Sequence, residues 1–247
     1  MTDEMFCFQC QQTAHNEKCN GKAGVCGKKS DTAKAQDELI GALIGLAKAA
    51  EYGAPTDCTD RLVLKGLFTT ITNVNFNTHT VKELTAEVKD EKRRIYKNHV
   101  DDYELSRLWE AGEDIRSLKS LILFGIKGMA AYAYHALALG KTDREVNAFF
   151  YMALRAIEGE NDPDKLLRLV LKTGEVNFKC MALLDNANTE SYGDPVPTVV
   201  PLTIEKGPFI VVSGHDMHDM ELQTVTYLVY NVSNCFYCEK NYSRPNR

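Results

Sequence analysis

Four of the eight cysteines in this 247-residue chain stand within its first 26 residues, at Cys7, Cys10, Cys19 and Cys26. The stretch that holds them, residues 1–29, is rich in Cys, Gln, Gly, Asn and Lys and has no helical period. A segment of that kind needs something external to hold it together. Where thiols are kept reduced, clustered cysteines point to metal binding rather than to covalent stapling. The spacing is C-x2-C-x8-C-x6-C. A C-x2-C pair aims two thiolates at one centre from a single tight turn, and the later two return to complete four-sulfur ligation. Such a set suits tetrahedral zinc or an iron–sulfur cluster. Structural zinc loops more often carry two C-x2-C pairs, so the C-x6-C half tilts the reading toward iron–sulfur. Gly21, Gly24 and Gly27 leave the backbone free to wrap and to offer N–H groups to cluster sulfurs.

The net charge of −5 argues against a general nucleic-acid binder, which needs a basic surface. With 44% hydrophobic and 26% charged residues, the chain has the balance of a protein that buries a core. The acidic start, Met1-Thr2-Asp3-Glu4, lacks the basic and apolar segments of a secretory signal. The apolar stretch from Leu118 to Leu139 is interrupted by Lys119, Lys127 and His135 and reads as a buried amphipathic helix, not a membrane span. These features place the protein in the cytoplasm, with no membrane and no nucleic acid among its partners.

From Ser30 to Tyr192 the chain reads as helix throughout. Ser30 and Asp31 supply a cap and early negative charge, Leu39, Leu43 and Leu46 recur at helical spacing, and Gly53 closes the first helix. A second helix starts near Thr56, and a third spans Thr80 to Tyr96, where the charge run from Lys89 to Arg94 reads as a solvated face. The strongest helical signal runs from Asp101 to Gly140, with Gly125 and Gly128 suited to a close helix neighbour. Asp143 and the pair Asp162-Pro163 open two further helices. Cys58 and Cys180 fall on helical patterns as small apolar core residues.

At Gly193 the character changes. Pro195, Pro197 and Pro201 mark a linker, Pro208 to Ser213 reads as a buried strand, and Gly214 with His215-Asp216 suggests a turn into a helix. The fold class expected is therefore mainly α. A cysteine-rich loop (1–29) precedes a helical bundle (30–193), and residues 194–247 hold a linker and the start of an α/β, Rossmann-like domain that reads as cut short.

Several segments carry a specific resemblance: Met5-Phe-Cys-Phe-Gln-Cys-Gln-Gln-Thr-Ala14, Gly24-Val-Cys-Gly-Lys28, Ala35-Gln-Asp-Glu-Leu39, Ser117 to Tyr132, Lys179 to Asp185, and Val212-Ser-Gly-His-Asp216. The chain resembles the hybrid-cluster proteins, also called prismane proteins or hydroxylamine reductases, over roughly residues 5 to 222. The resemblance implies helical bundles followed by α/β domains of the kind shared with carbon monoxide dehydrogenases. It implies a [4Fe–4S] cluster, less often [2Fe–2S], on Cys7, Cys10, Cys19 and Cys26. It also implies a second, hybrid iron–sulfur–oxygen cluster with His215 among its ligands, where hydroxylamine is reduced to ammonia or nitric oxide is handled. An electron-donor redox protein would serve it.

Beyond about Gln223 the likeness stops. Thr224 to Arg247 has none of the family's later ligands, and its own C-x2-C pair, Cys235 and Cys238, reads as incidental. Such a tail is what a truncated or frame-shifted copy would leave. One histidine does not hold a multi-iron cluster, so the family's catalytic site is expected to be incomplete in this chain alone. Three readings stand: a hydroxylamine-type reductase, a non-catalytic electron-transfer or cluster-binding module with only the N-terminal cluster, and a zinc-bound helical interaction domain.

Overall fold

The structure is a computed structural model describing residues 6–7, 9–10, 19–72, 74–197, 199, 206, 211–212, 217–222 and 235–236. The chain divides into two compact units, Met1–Tyr134 with Thr142–Met181, and His135–Lys141 with Ala182–Arg247.

In the first unit the most deeply buried helix lies innermost. α1 (Ser30–Tyr52) buries Leu39, Ile40, Leu43, Ile44 and Leu46 completely. Apolar residues on all sides of a helix require neighbours on all sides, and α2 (Asp57–Thr69), α3 (Thr78–Ile95) and α6 (Arg144–Gly159) pack against it. Ser30 is the first helical residue instead of the cap, while Asp31 in the first turn accepts from Thr32 N at 2.9 Å and the Thr78 hydroxyl at 3.0 Å. Thr56 and Thr59 form a capping box on α2. Asn77 caps α3, accepting from His79 N and Thr80 N at 3.0 and 3.3 Å.

The helix expected from Asp101 to Gly140 is interrupted. A one-turn helix, α4 (Ser106–Trp109), is separated from α5 (Glu113–Ala138), and residues 101–104 are not helical. A tertiary contact overrides the local signal here. Tyr103 N donates to Gly41 O at 3.1 Å, so this segment crosses α1 at a glycine. Asp102 is held there by Lys92 at 2.5 Å and Lys89 at 3.3 Å. The charge run of α3 is therefore only partly solvated: Glu91 is buried, accepts from Thr59 and pairs with Arg94 at 2.6 Å.

α7 (Pro163–Tyr192) follows an Asp162 cap, as expected. Gly125 provides the close approach anticipated for α5, since a Cβ there would lie 2.8 Å from Thr173 Cγ2 of α7. Gly128 does not: a Cβ there meets nothing within 4 Å. Gly140 ends the α5 region at φ +76°, in the left-handed conformation that favours glycine. α5 is long and apolar enough to cross a membrane by length and composition alone, yet Ile122, Leu123, Ile126, Met129 and Ala130 are buried inside the first unit. Cys180 is buried as expected, and burial pushes its thiol up to about 12. Cys58 departs from expectation. It is exposed in the first turn of α2, where Thr59 and Leu62 turn inward instead.

Asp143 caps α6 by accepting from Glu145 N at 2.8 Å and Val146 N at 3.0 Å, and it pairs with Lys179 at 3.2 Å. Partial burial pulls its carboxyl upward, but the two amides and the ammonium outweigh that and hold it below its usual 3.8. A depressed carboxylate stabilises the fold above its unfolded pKa, and the contribution fades as pH falls through the folded value. Asp143→Ala is expected to cost about 1 kcal/mol at pH 7. In urea unfolding, its gap from the parent protein should narrow as the pH is taken below 3.8.

In the second unit, Val211–Val212 (β1) and Cys235–Phe236 (β2) pair in parallel, Val211 opposite Cys235. Residues 217–222 form a short helix. Four paired residues do not make an α/β domain, and the Rossmann-like start stays an expectation. His215, Cys238 and most of the expected strand from Pro208 to Ser213 lie outside the described residues.

Candidate cluster-binding site

A backbone bridge and a turn assemble the cysteines. Cys7 and Cys19 face each other in an antiparallel bridge, Cys7 N donating to Cys19 O at 3.0 Å and Cys19 N to Cys7 O at 3.1 Å. Farther on, Gly27 N donates to Gly24 O at 2.9 Å and Gly24 N to Lys28 O at 2.8 Å, with Gly27 at φ +83°. A positive φ is open to glycine at little cost, which accounts for Gly27 beside Cys26. Cys7, Cys10, Cys19 and Cys26 all line one recess of about 340 Å³, open space at its mouth included, together with Gln9, Gly24, Val25, Lys28 and Thr72. All four are free thiols, and Cys7 and Cys19 are buried. Among the described residues, no three Cys, His, Asp or Glu side chains converge on a single-ion position.

The polar residues around this recess escaped the sequence reading. Gln9, between the first two cysteines, is 3% exposed and is held from two helices. Its amide nitrogen donates to Asp37 of α1, and its amide oxygen accepts from the Lys127 ammonium of α5. Lys127 also donates to Gln9 O at 3.4 Å. Lys28, 2% exposed, donates to Gln36 of α1, whose amide donates onward to Asn75 O at 3.2 Å and Thr69 O at 3.5 Å.

These surroundings act on Lys127, Asp37 and Cys7. Burial pulls the Lys127 ammonium down to about 7; the attraction of Asp37 opposes this and the repulsion of Lys28 adds to it. Asp37 keeps an edge at the surface, but enclosure by its neighbours still raises its carboxyl to about 6, opposed by the Gln9 amide, Lys127 and Lys28. Burial raises the Cys7 thiol, opposed by the Gln9 backbone amide and Lys28. The thiolate is the ligand form. A cationic centre placed among these sulfurs would favour it, and the donor set of four cysteines fits a cluster of the Cys-ligated kind.

Residues 5–226 match the model of the family described as Prismane/CO dehydrogenase. The chain is similar to the hydroxylamine reductase of Halothermothrix orenii, at 40% identity over 88% of this chain and 45% of that protein. It is similar to the hydroxylamine reductases of Thermodesulfovibrio yellowstonii and Solidesulfovibrio magneticus at 41% and 42%, again over 88% of this chain and 46% of each relative. The chain thus spans about half the length of the curated relatives it matches.

Proposed function

The chain belongs to the Prismane/CO dehydrogenase family, and from that premise we propose that it is an iron–sulfur redox protein of the hydroxylamine-reductase type. Cys7, Cys10, Cys19 and Cys26 bind a [4Fe–4S] cluster, whose chemistry is reversible one-electron transfer. The observation that carries this reading is the gathering of the four family-region cysteines on a single recess beside two buried lysines. The residues have separate tasks. Gln9 fixes the C-x2-C turn against α1 and α5, and Gly27 lets the chain turn back at Cys26. The Cys7–Cys19 bridge holds the two halves of the loop at one depth.

The remaining parts of the reading rest on the family and on the names of the relatives. An electron-donor protein loads the N-terminal cluster in the cytoplasm. Hydroxylamine, reduced to ammonia, or nitric oxide is the substrate, and His215 contributes to a second cluster.

Iron and acid-labile sulfide, measured on protein purified without oxygen, test the first part. About four of each per chain are expected for a cubane, and Cys10→Ala should lose them. Zinc in place of iron, or full loading of the Cys10→Ala protein, would overturn the assignment. Hydroxylamine turnover with an artificial electron donor tests the second part, and an iron content matching the cubane alone, with no turnover, would leave electron transfer as the activity.

A further inference from the structure

Two lysines are buried near the cysteines, at 2% and 3% exposure, with a single half-buried carboxylate close by. Both ammonium groups are spoken for by neutral amides: Lys28 by Gln36, and Lys127 by Gln9. Asp37 attracts Lys127 without bonding it, the hydrogen-bonded path between them running through the Gln9 amide. A buried ammonium without an equal counter-charge is costly, because its hydration is lost and a neutral partner returns only part of it. The site therefore holds two buried lysines against one carboxylate, Lys28 on the lining of the recess and Lys127 behind it, bonded to the lining residue Gln9. An iron–sulfur core ligated by four thiolates is a net anion, and it would supply the missing counter-charge.

We propose that Lys127 is the electrostatic counter-ion of the N-terminal cluster, a positioning residue that sets how readily the cluster accepts an electron. The inference rests on the reading of the four cysteines as cluster ligands. Reduction adds negative charge to the cluster, and a nearby fixed cation in a weakly screening interior stabilises that added charge. The same attraction holds Lys127 in its charged form once a cluster is present, against the burial that otherwise draws the proton off. Gln9 completes the arrangement. Its oxygen binds the ammonium while its backbone lies between two cluster ligands, so the cation is tied to the turn it serves.

The test compares reduction potentials, by anaerobic redox titration, of the loaded parent protein and three variants. Lys127→Gln keeps a hydrogen-bond donor toward Gln9 and removes the charge. Lys127→Met removes both, and Lys127→Arg keeps the charge. The Gln and Met variants are expected to favour the oxidised cluster by about tenfold at a fixed ambient potential, a shift of about 59 mV for one electron. The Arg variant should stay near the parent. If the Gln and Met proteins lose iron while the Arg protein keeps it, charge is required and the inference stands. A Gln variant with the parent's potential would overturn it, as would loss of iron from all three, since shape and not charge would then decide. A parent protein that holds no iron is a different failure, and would remove the cluster reading itself.

Discussion

Gly41→Ala should destabilise the chain by about 3 kcal/mol, although replacing glycine by alanine within a helix ordinarily stabilises by up to about 1 kcal/mol. The reversal has a geometric cause. A Cβ on Gly41 would lie 2.1 Å from Tyr103 O and 3.2 Å from Tyr103 C. Both are backbone atoms, so no side-chain rotation relieves the overlap. Nor is withdrawal of the segment free, because Tyr103 N donates to Gly41 O at 3.1 Å across the same contact. Moving apart breaks that bond and leaves the Tyr103 amide without its acceptor. The adjoining Asp102 would also be drawn from Lys92 and Lys89. Gly128 supplies the control, being exposed within α5 and free of any neighbour within 4 Å of its Cβ position. Gly128→Ala is expected to raise the urea midpoint and Gly41→Ala to lower it sharply. In a chain of this size about 3 kcal/mol corresponds to a fall in Tm of roughly 6–12 °C. Equal midpoints for the two variants would show that α1 and residues 101–104 are not packed as described.

The same crossing marks where local reading of the sequence ends. The helices were legible because each carries its own signal. Leu39, Leu43 and Leu46 recur with the helical period, and Asp143 and Asp162-Pro163 announce a start through the chemistry of a carboxylate facing free amides. The break before α5 was not legible, because it is decided by Tyr103 meeting a glycine about 60 residues earlier, and no period records that. Cys58 was misplaced for a related reason. A first-turn position can point either way, and the burial of Thr59 and Leu62 settles it. In the site, the cysteines were visible as a spacing. Gln9, Asp37 and Lys127 were not, since their sequence separations of 28 and 118 residues leave no pattern. One clue was present: Lys127 interrupts the apolar face of the most hydrophobic helix. A lysine in that position implies a polar partner from elsewhere in the fold.

Gln9→Leu is the sharpest test of that partnership, and it should be among the most disruptive single changes in the loop. Leucine is similar in bulk, so the cavity is largely refilled, but both of its polar contacts are lost. Lys127 is 3% exposed and loses its side-chain acceptor, keeping the Gln9 backbone O at 3.4 Å, and Asp37 loses the donor that opposes its rising pKa. Hydrogen bonds to charged groups contribute about 1.5–3 kcal/mol each, so the pair accounts for roughly 3 kcal/mol or more. The cost falls first on the attachment of the cysteine loop, since the bundle helices retain their apolar contacts with one another. Limited proteolysis of the apo-protein should therefore cut the variant within residues 1–29 much faster than the parent, while the helical circular dichroism changes little. Gln9→Glu should behave differently. Its carboxylate accepts from Lys127 but repels Asp37, so the loop stays attached better as pH is lowered through about 6, where Asp37 takes up its proton. Proteolysis rates equal to the parent's for both variants, at pH 5 and at pH 8, would show that the loop is held by something other than the Gln9 contacts to α1 and α5.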